Sequence, residues 1–321
     1  MRRRTVSALY CNRPTPKRGA RVLLLVLSLV GATCQANDDS ISKPTAFPPS
    51  LLGTWQVAEV HVDQDDTRPF VYKYNIHKFL GRVFVFTPQQ LTHNTVPRDS
   101  SDKRRCESPE IIVHHTTAGY AVGMSLASRP FYPIRPRPKD FQLPLAESAP
   151  VEALSMLCKD GLFYKTMGGC LEPDCGINGA WLIVLNPKQL ALRWHDEVFL
   201  ILQRIPENAK PVASFDCAKA ATVVEKTICG SVALASYDQS VAYTYKHALG
   251  YYQFALKTYN PGMRKQTTAQ IVAFKKSQKG LLTKRDACGS DATCLDNAMG
   301  ERIWDMDREI AFYAYDNRDI R

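Results

Sequence analysis

The chain has 321 residues, with 41 Lys and Arg against 31 Asp and Glu, for a formal net charge of +10. Seven of those cations (Arg2, Arg3, Arg4, Arg13, Lys17, Arg18 and Arg21) precede the first apolar run, and without them the charge falls to +3. Residues 37–211 then balance at 19 basic against 19 acidic and residues 212–321 hold 15 against 12, which excludes nucleic-acid binding through bulk charge.

Residues 1–36 have the pattern of an export signal: a basic stretch, the apolar run Val22 to Val30, then small residues ending at Ala36. The run is too short to span a bilayer comfortably and no stop-transfer pattern follows it. Cys34-Gln35-Ala36 suits cleavage before Asn37, giving a soluble periplasmic product with no transmembrane segment in the mature chain. Gly31-Ala32-Thr33-Cys34 is similar to a lipobox, although Gly31 and Thr33 depart from its usual residues, so a lipoprotein held through Cys34 is the alternative. Export also means an oxidising compartment. Eight cysteines remain beyond Cys11 and Cys34, four in each half, as two domains that each close their own disulfides would require.

After a linker over residues 37–50, residues 51–206 alternate with period 2 between turn residues. Trp55 to Val62 is predicted as a strand, with Trp55, Val57, Glu59 and His61 on one face and Ala58, Val60 and Val62 on the other. Val83 to Phe86 turns through Thr87-Pro88-Gln89-Gln90 into Leu91-Thr92. Later, Trp181–Leu185, Leu190–Trp194 and Val198–Leu202 form a three-strand meander. The six prolines of residues 129–150 place that segment mostly in loop. About eight short strands over this length imply an antiparallel barrel or sandwich. Gly53-Thr54-Trp55 resembles the opening Gly-x-Trp of lipocalin-type barrels, which implies a barrel holding a small apolar ligand or cell-wall fragment. A filled interior closed by Trp55 is the structural alternative.

Candidate chemistry in this half is sparse. His61, Asp63, Asp65 and Asp66 form an acidic patch, but it lacks the glycine turn and terminal Glu of a calcium loop. His114 and His115 are adjacent on a strand, so their rings point to opposite faces, a poor geometry for one metal. Cys106, Cys158, Cys170 and Cys175 lack a C-x-x-C knuckle and are expected as disulfides rather than a zinc site. Cys106–Cys158 with Cys170–Cys175 is the preferred pairing of three possible ones. No cofactor is implied.

Past a linker at residues 207–214 the period changes to that of helices. Leu234, Tyr237, Val241, Tyr245, Ala248 and Tyr252 form one stripe, ended at Asn260-Pro261-Gly262. Ile271, Phe274, Gln278 and Leu281 form a second. Leu295, Met299, Ile303, Met306 and Ile310 form a third, starting near Asp291. With a short helix at Val223 to Cys229, this is a small up-down bundle over residues 215–313, followed by a tail at 314–321. Cys217 with Cys229 and Cys288 with Cys294 would staple its ends, and the fold class is α+β in two domains. Asp238 and Arg285 are placed on neighbouring helices as an ion pair, and Glu225 as a favourable charge at a helix start.

The segments Phe215-Asp216-Cys217-Ala218-Lys219-Ala220, Val224-Glu225-Lys226-Thr227-Ile228-Cys229, Leu234-Ala235-Ser236-Tyr237-Asp238 and Arg285-Asp286-Ala287-Cys288-Gly289-Ser290-Asp291-Ala292-Thr293-Cys294 carry more specific information. In order and cysteine spacing they resemble the LprI-like lysozyme inhibitor family of secreted bacterial proteins, over roughly Phe215 to Ile310. The resemblance implies an envelope protein that binds and blocks a lysozyme-type muramidase. No Gly-x-Ser-x-Gly elbow, His-Glu-x-x-His helix, Walker loop or dinucleotide fingerprint points to an enzyme. Tyr243, Tyr251, Phe254, Tyr259 and Trp304 lie off or beside the main stripes, available to a partner or to the β half. Glu301, Asp305 and Glu309, spaced by four, form one acidic stripe that would suit a basic enzyme.

Overall fold

A computed structural model describes residues 40–63, 74–95, 104–126, 136–163, 177, 179–195, 198–258 and 261–316. All of these belong to one compact unit. Residues 1–36, predicted as an export signal, and Asp65, Asp66, Cys170, Cys175 and Tyr259 lie outside the described residues.

The first half is a single antiparallel sheet. Its strands are β1 (Ser40–Ile41), β2 (Thr45–Ala46), β3 (Gly53–Val62), β4 (Val83–Phe86), β5 (Gln90–His93), β6 (Arg105–Glu107), β7 (Glu110–Thr117), β8 (Pro150–Cys158), β9 (Gly161–Leu162), β10 (Trp181–Asn186), β11 (Gln189–His195) and β12 (Val198–Arg204). They are ordered β1-β7-β8-β10-β11-β12-β3-β4-β5-β6, with β2 beside β7 and β9 beside β8. Only Ser108 and Pro109 separate β6 from β7, so the far end of this path runs directly back into its beginning. Ser108 turns the corner at φ 49, and the Lys159 amide donates to Glu107 O at 3.0 Å. The Cys106–Cys158 disulfide ties β6 to β8 at the same level. The sheet thus curls into a barrel, its β6 end brought against β8, while β1 at the other end of the path pairs with β7 alone.

Strand β3 departs from strict alternation. The register between β12 and β3 shifts where Ile201 faces Glu59 and Leu202 faces Val57, leaving Ala58 as an extra residue. This β-bulge reverses the faces beyond it. Trp55, Val57 and Val60 share the barrel core, whereas His61 turns outward and its Nδ1 lies 2.8 Å from Phe141 O. The period-2 assignment of Trp55, Val57, Glu59 and His61 to one face is thus corrected, and a bulge leaves no mark in hydrophobicity alone.

Large side chains fill the barrel. Phe84 packs edge-on against Trp194 at 5.2 Å, His93 against Trp194 at 4.8 Å, and Phe163 against Trp194 at 5.8 Å. Trp55, the cross-strand partner of Phe84, donates through Nε1 to Leu51 O at 2.9 Å, and the Arg204 guanidinium lies 4.1 Å from the Trp55 ring centroid. Gly53 has φ +123, and a β-carbon there would meet Arg204 Nη1 at 2.9 Å. The Gly and Trp of Gly53-Thr54-Trp55 therefore serve this packing. A second apolar layer covers the outer face of β8, β10, β11 and β12. It is built from α1 (Ala118–Leu126) and the 3₁₀ turn Pro138–Phe141, neither of which the period-2 pattern announces.

The second half consists of α2 (Val223–Cys229), α3 (Val232–Thr258), α4 (Pro261–Ala287) and α5 (Ala292–Asp316). Thr222 and Glu225 form a capping box on α2, Pro261 occupies the first position of α4, and Asp291 Oδ1 accepts from the amides of Thr293 and Cys294 at the start of α5. The predicted stripes make the bundle core: Leu234, Tyr237, Val241, Ala248 and Tyr252 from α3, Phe274 and Leu281 from α4, and Leu295, Met299, Ile303 and Met306 from α5. Gln278, the polar member of its stripe, accepts from Arg302 Nε at 3.0 Å. Cys217–Cys229 and Cys288–Cys294 are both bonded, the second across the α4–α5 turn.

Candidate functional site: the bundle surface and its junction with the barrel

Among the described residues, no cluster of three His, Cys, Asp or Glu side chains is arranged to hold a metal ion. His114 Nε2 lies 3.0 Å from Ser155 Oγ, while His115 Nδ1 lies 3.6 Å from Glu152 on the other parity of the strand. The two rings do not converge. His61 sits between Phe141 O and Glu59 Oε2, and Tyr74 Oη donates to the same carboxylate. The His61 hydrogen bond chiefly holds the Glu59 carboxyl below its usual range.

In the bundle, Arg285 Nη1 approaches Asp238 Oδ1 at 3.6 Å with both side chains largely buried. Each also has a nearer partner. Asp238 Oδ2 accepts from the Ser214 amide at 2.7 Å, and Arg285 Nη2 lies 2.9 Å from Asp286. The pair therefore links the lead-in segment to α4 through α3. Glu225 accepts from the amides of Ala221 and Thr222, bonds that keep its carboxyl below the ordinary value.

The three predicted acids of α5, Glu301, Asp305 and Glu309, each meet a group of the bundle itself. Lys284 Nζ lies 2.5 Å from Glu301, Arg308 Nη2 lies 2.8 Å from Asp305, and Tyr252 Oη donates to Glu309 at 2.5 Å. Glu301 and Asp305 remain exposed, whereas Glu309 is half-buried. The stripe is continuous at two of its three positions.

The aromatic candidates divide between the barrel and solvent. Trp304 is half-buried beneath Lys78 of the barrel half, whose Nζ lies 5.0 Å from its ring. Burial pushes the Lys78 ammonium down to about 8, against the opposing pull of Asp307. Tyr243 stacks on His77 at 3.7 Å yet stays 53% exposed. Phe254 is 63% exposed, and Tyr251 is half-buried. Tyr243, His247 and Phe254 fall at spacings of four and seven, on one outward line of α3.

The same helix presents a different face to the barrel. Arg82, fully buried at the start of β4, donates through Nη2 to Ser236 O at 2.9 Å, Ser236 Oγ at 3.0 Å and Ser240 Oγ at 2.8 Å. Its guanidinium carbon lies 3.6 Å from the Tyr237 ring centroid, while Tyr237 Oη donates to Asn94 O. Arg104 closes the contact by pairing with Asp296 of α5. Burial raises the Tyr237 phenol to about 12 and also raises the Asp296 carboxyl, although Arg104 and Arg82 oppose the latter. The sequence gives no sign of this junction, because its partners are more than 140 residues apart and Arg82 belongs to no motif.

No protein-family model matches the chain, and no curated protein or solved structure matches it either.

Proposed function

We propose that this is a secreted cell-envelope protein that binds another protein through its helical half, in the manner of a muramidase inhibitor. The observation that carries this reading is the Tyr243, His247 and Phe254 line of α3. It lies outside the bundle core, with Tyr243 resting on His77 of the barrel half, and keeps two large aromatic side chains exposed. Tyrosine and other aromatic anchors concentrate binding energy at interfaces. The LprI-like order of cysteines and helices supports the muramidase class of target. Acidic Glu301 and Asp305 on α5 offer the charge that a basic enzyme would meet.

A small-ligand carrier is the second reading, and the barrel interior argues against it. Trp55, Phe84, Phe86 and Trp194 occupy the space that such a ligand would need, each at most 1% exposed. The test uses the oxidised protein spanning residues 37–321 against muramidases of several classes acting on cell walls. Reduced lysis is expected, and Tyr243→Ala or Phe254→Ala should each weaken it by roughly ten-fold, about the 1–2 kcal/mol of an interface anchor. Undiminished lysis with every class would overturn the inhibitor reading.

A further inference from the structure

The charges of the bundle are segregated by helix. Helix α4 carries seven cations (Arg264, Lys265, Lys275, Lys276, Lys279, Lys284 and Arg285) and one acid, Asp286. Helix α5 carries six acids and two cations. Lys284 pairs with Glu301 of α5, and Arg285 with Asp238 and Asp286. The other lysines of α4 are directed elsewhere.

Their direction follows from how α4 packs. Over 27 residues it buries only Thr267, Phe274 and Leu281, spaced by seven along one ridge. The opposite side holds Lys265, Val272, Lys276 and Lys279, at spacings of seven, four and three. Lys275 and Leu282 flank that line. All six side chains are exposed, Val272 to 64%. None of the four lysines has an acidic partner within ion-pair distance among the described residues. At a rise of 1.5 Å per residue the helix presents a rod about 40 Å long.

We propose that the outer face of α4 docks on an anionic phospholipid bilayer, with the helix lying along the surface. The lysines supply attraction to lipid phosphates, and their long stems let the ammonium groups reach headgroups while the helix settles lower. Val272 and Leu282 decide between this surface and a soluble polyanion. An exposed Val among lysines gains nothing from a hydrated polyanion, whereas a bilayer interface takes its apolar surface out of water. The residues of this face are distinct from those of the α3 line and the α5 acids. Docking there goes beyond the inhibitor reading, and it is measured with no muramidase present.

The experiment is co-sedimentation of the oxidised protein spanning residues 37–321 with phosphatidylcholine vesicles, with or without a third of phosphatidylglycerol. Binding is expected only to the anionic vesicles, and it should be lost on raising salt from 0.05 to 0.5 M. Each lysine at the surface corresponds to roughly a five-fold change in partitioning, so Lys275→Gln, Lys276→Gln and Lys279→Gln together should lower it by about a hundred-fold. Val272→Ser should lower vesicle binding several-fold, while Asp305→Asn on α5 should not weaken it. Equal binding to both vesicle types, no binding at low salt, or retention of dextran sulfate without vesicle binding would each overturn the proposal. Thermal unfolding of every variant separates a lost surface from a lost fold.

Discussion

Gly81 and Ser236 meet so closely that a β-carbon on Gly81 would lie 2.2 Å from Ser236 Oγ. That hydroxyl donates back to Gly81 O at 2.5 Å, and Gly81 holds φ +80, a conformation that favours glycine. The barrel and bundle therefore join backbone to side chain, with buried Arg82 beside the contact. A junction of this kind fixes the orientation of α3 more firmly than a linker would.

Gly81→Ala should cost about 2–4 kcal/mol, combining the left-handed backbone penalty with displacement of Ser236. Ser236→Ala alone removes hydrogen bonds to Gly81 O and Arg82 and should cost roughly 1–2 kcal/mol. In the double variant the clash is relieved, so the total should fall short of the sum by about 1 kcal/mol. Urea unfolding of the four proteins checks this. Strict additivity would mean that the two residues do not press on each other.

The Asp238–Arg285 pair should be asymmetric. Asp238→Ala removes the bond to the Ser214 amide and leaves the largely buried Arg285 without its inner partner, and should cost about 2 kcal/mol. Arg285→Ala leaves Asp238 with that amide and should cost about 1 kcal/mol, because Arg285 also leans on exposed Asp286. A double-mutant cycle should give a coupling below about 1 kcal/mol, in keeping with a 3.6 Å approach. Equal single losses would contradict this division.

The disulfides should differ in value by the loops they close. Cys106–Cys158 spans 52 residues and Cys288–Cys294 spans 6. Restriction of the unfolded chain predicts about 4 kcal/mol for the first and about 2 kcal/mol for the second. Paired Cys→Ser variants, compared by denaturant midpoint, should preserve that order, and peptide mapping without reduction should recover both links.

Much of this architecture was legible in the sequence, and the misses share a physical cause. The helical stripes and the β10–β11–β12 meander follow from local periodicity and turn residues, and the bundle core repeats them nearly residue for residue. The bulge at Ala58, the cover of α1 over the outer sheet and the seating of Arg82 depend on segments distant in sequence. Ser236 and Ser240 look like neutral helix residues until Arg82 is placed against them. Trp304 was readable as an aromatic beside its stripe, but its cover by Lys78 was not.

His77 supplies a pH dependence. Burial, then the charges of Arg82 and His247, lower its imidazole to about 4 from an ordinary 6.5. Between those values the unfolded chain takes up a proton that the folded protein refuses. The contribution is therefore complete above pH 6.5 and is lost as pH falls through 6.5 toward 4. Unfolding free energies at pH 7.5, 5.5 and 4.5 should fall more steeply for the native protein than for His77→Phe, which keeps a ring against Tyr243. Parallel slopes would remove His77 from the account.

The last prediction concerns the speed of partner binding, and it rests on the inhibitor reading. Asp305 and Glu301 are exposed at the surface of α5, and their internal partners Arg308 and Lys284 are exposed as well, so neither carboxylate holds the fold. Exposed charges of this kind act mainly on encounter and are screened over about 8–10 Å at ordinary salt. Asp305→Lys with Glu301→Lys should slow association with a basic muramidase by roughly ten-fold, change dissociation little and leave thermal stability almost unaltered. Tyr243→Ala and Phe254→Ala should do the reverse, raising the dissociation rate at nearly constant association, because anchors act after contact. Stopped-flow binding at two salt concentrations distinguishes the two classes. If the acid reversals changed only the dissociation rate, α5 would belong to the contact itself rather than to its electrostatic approach.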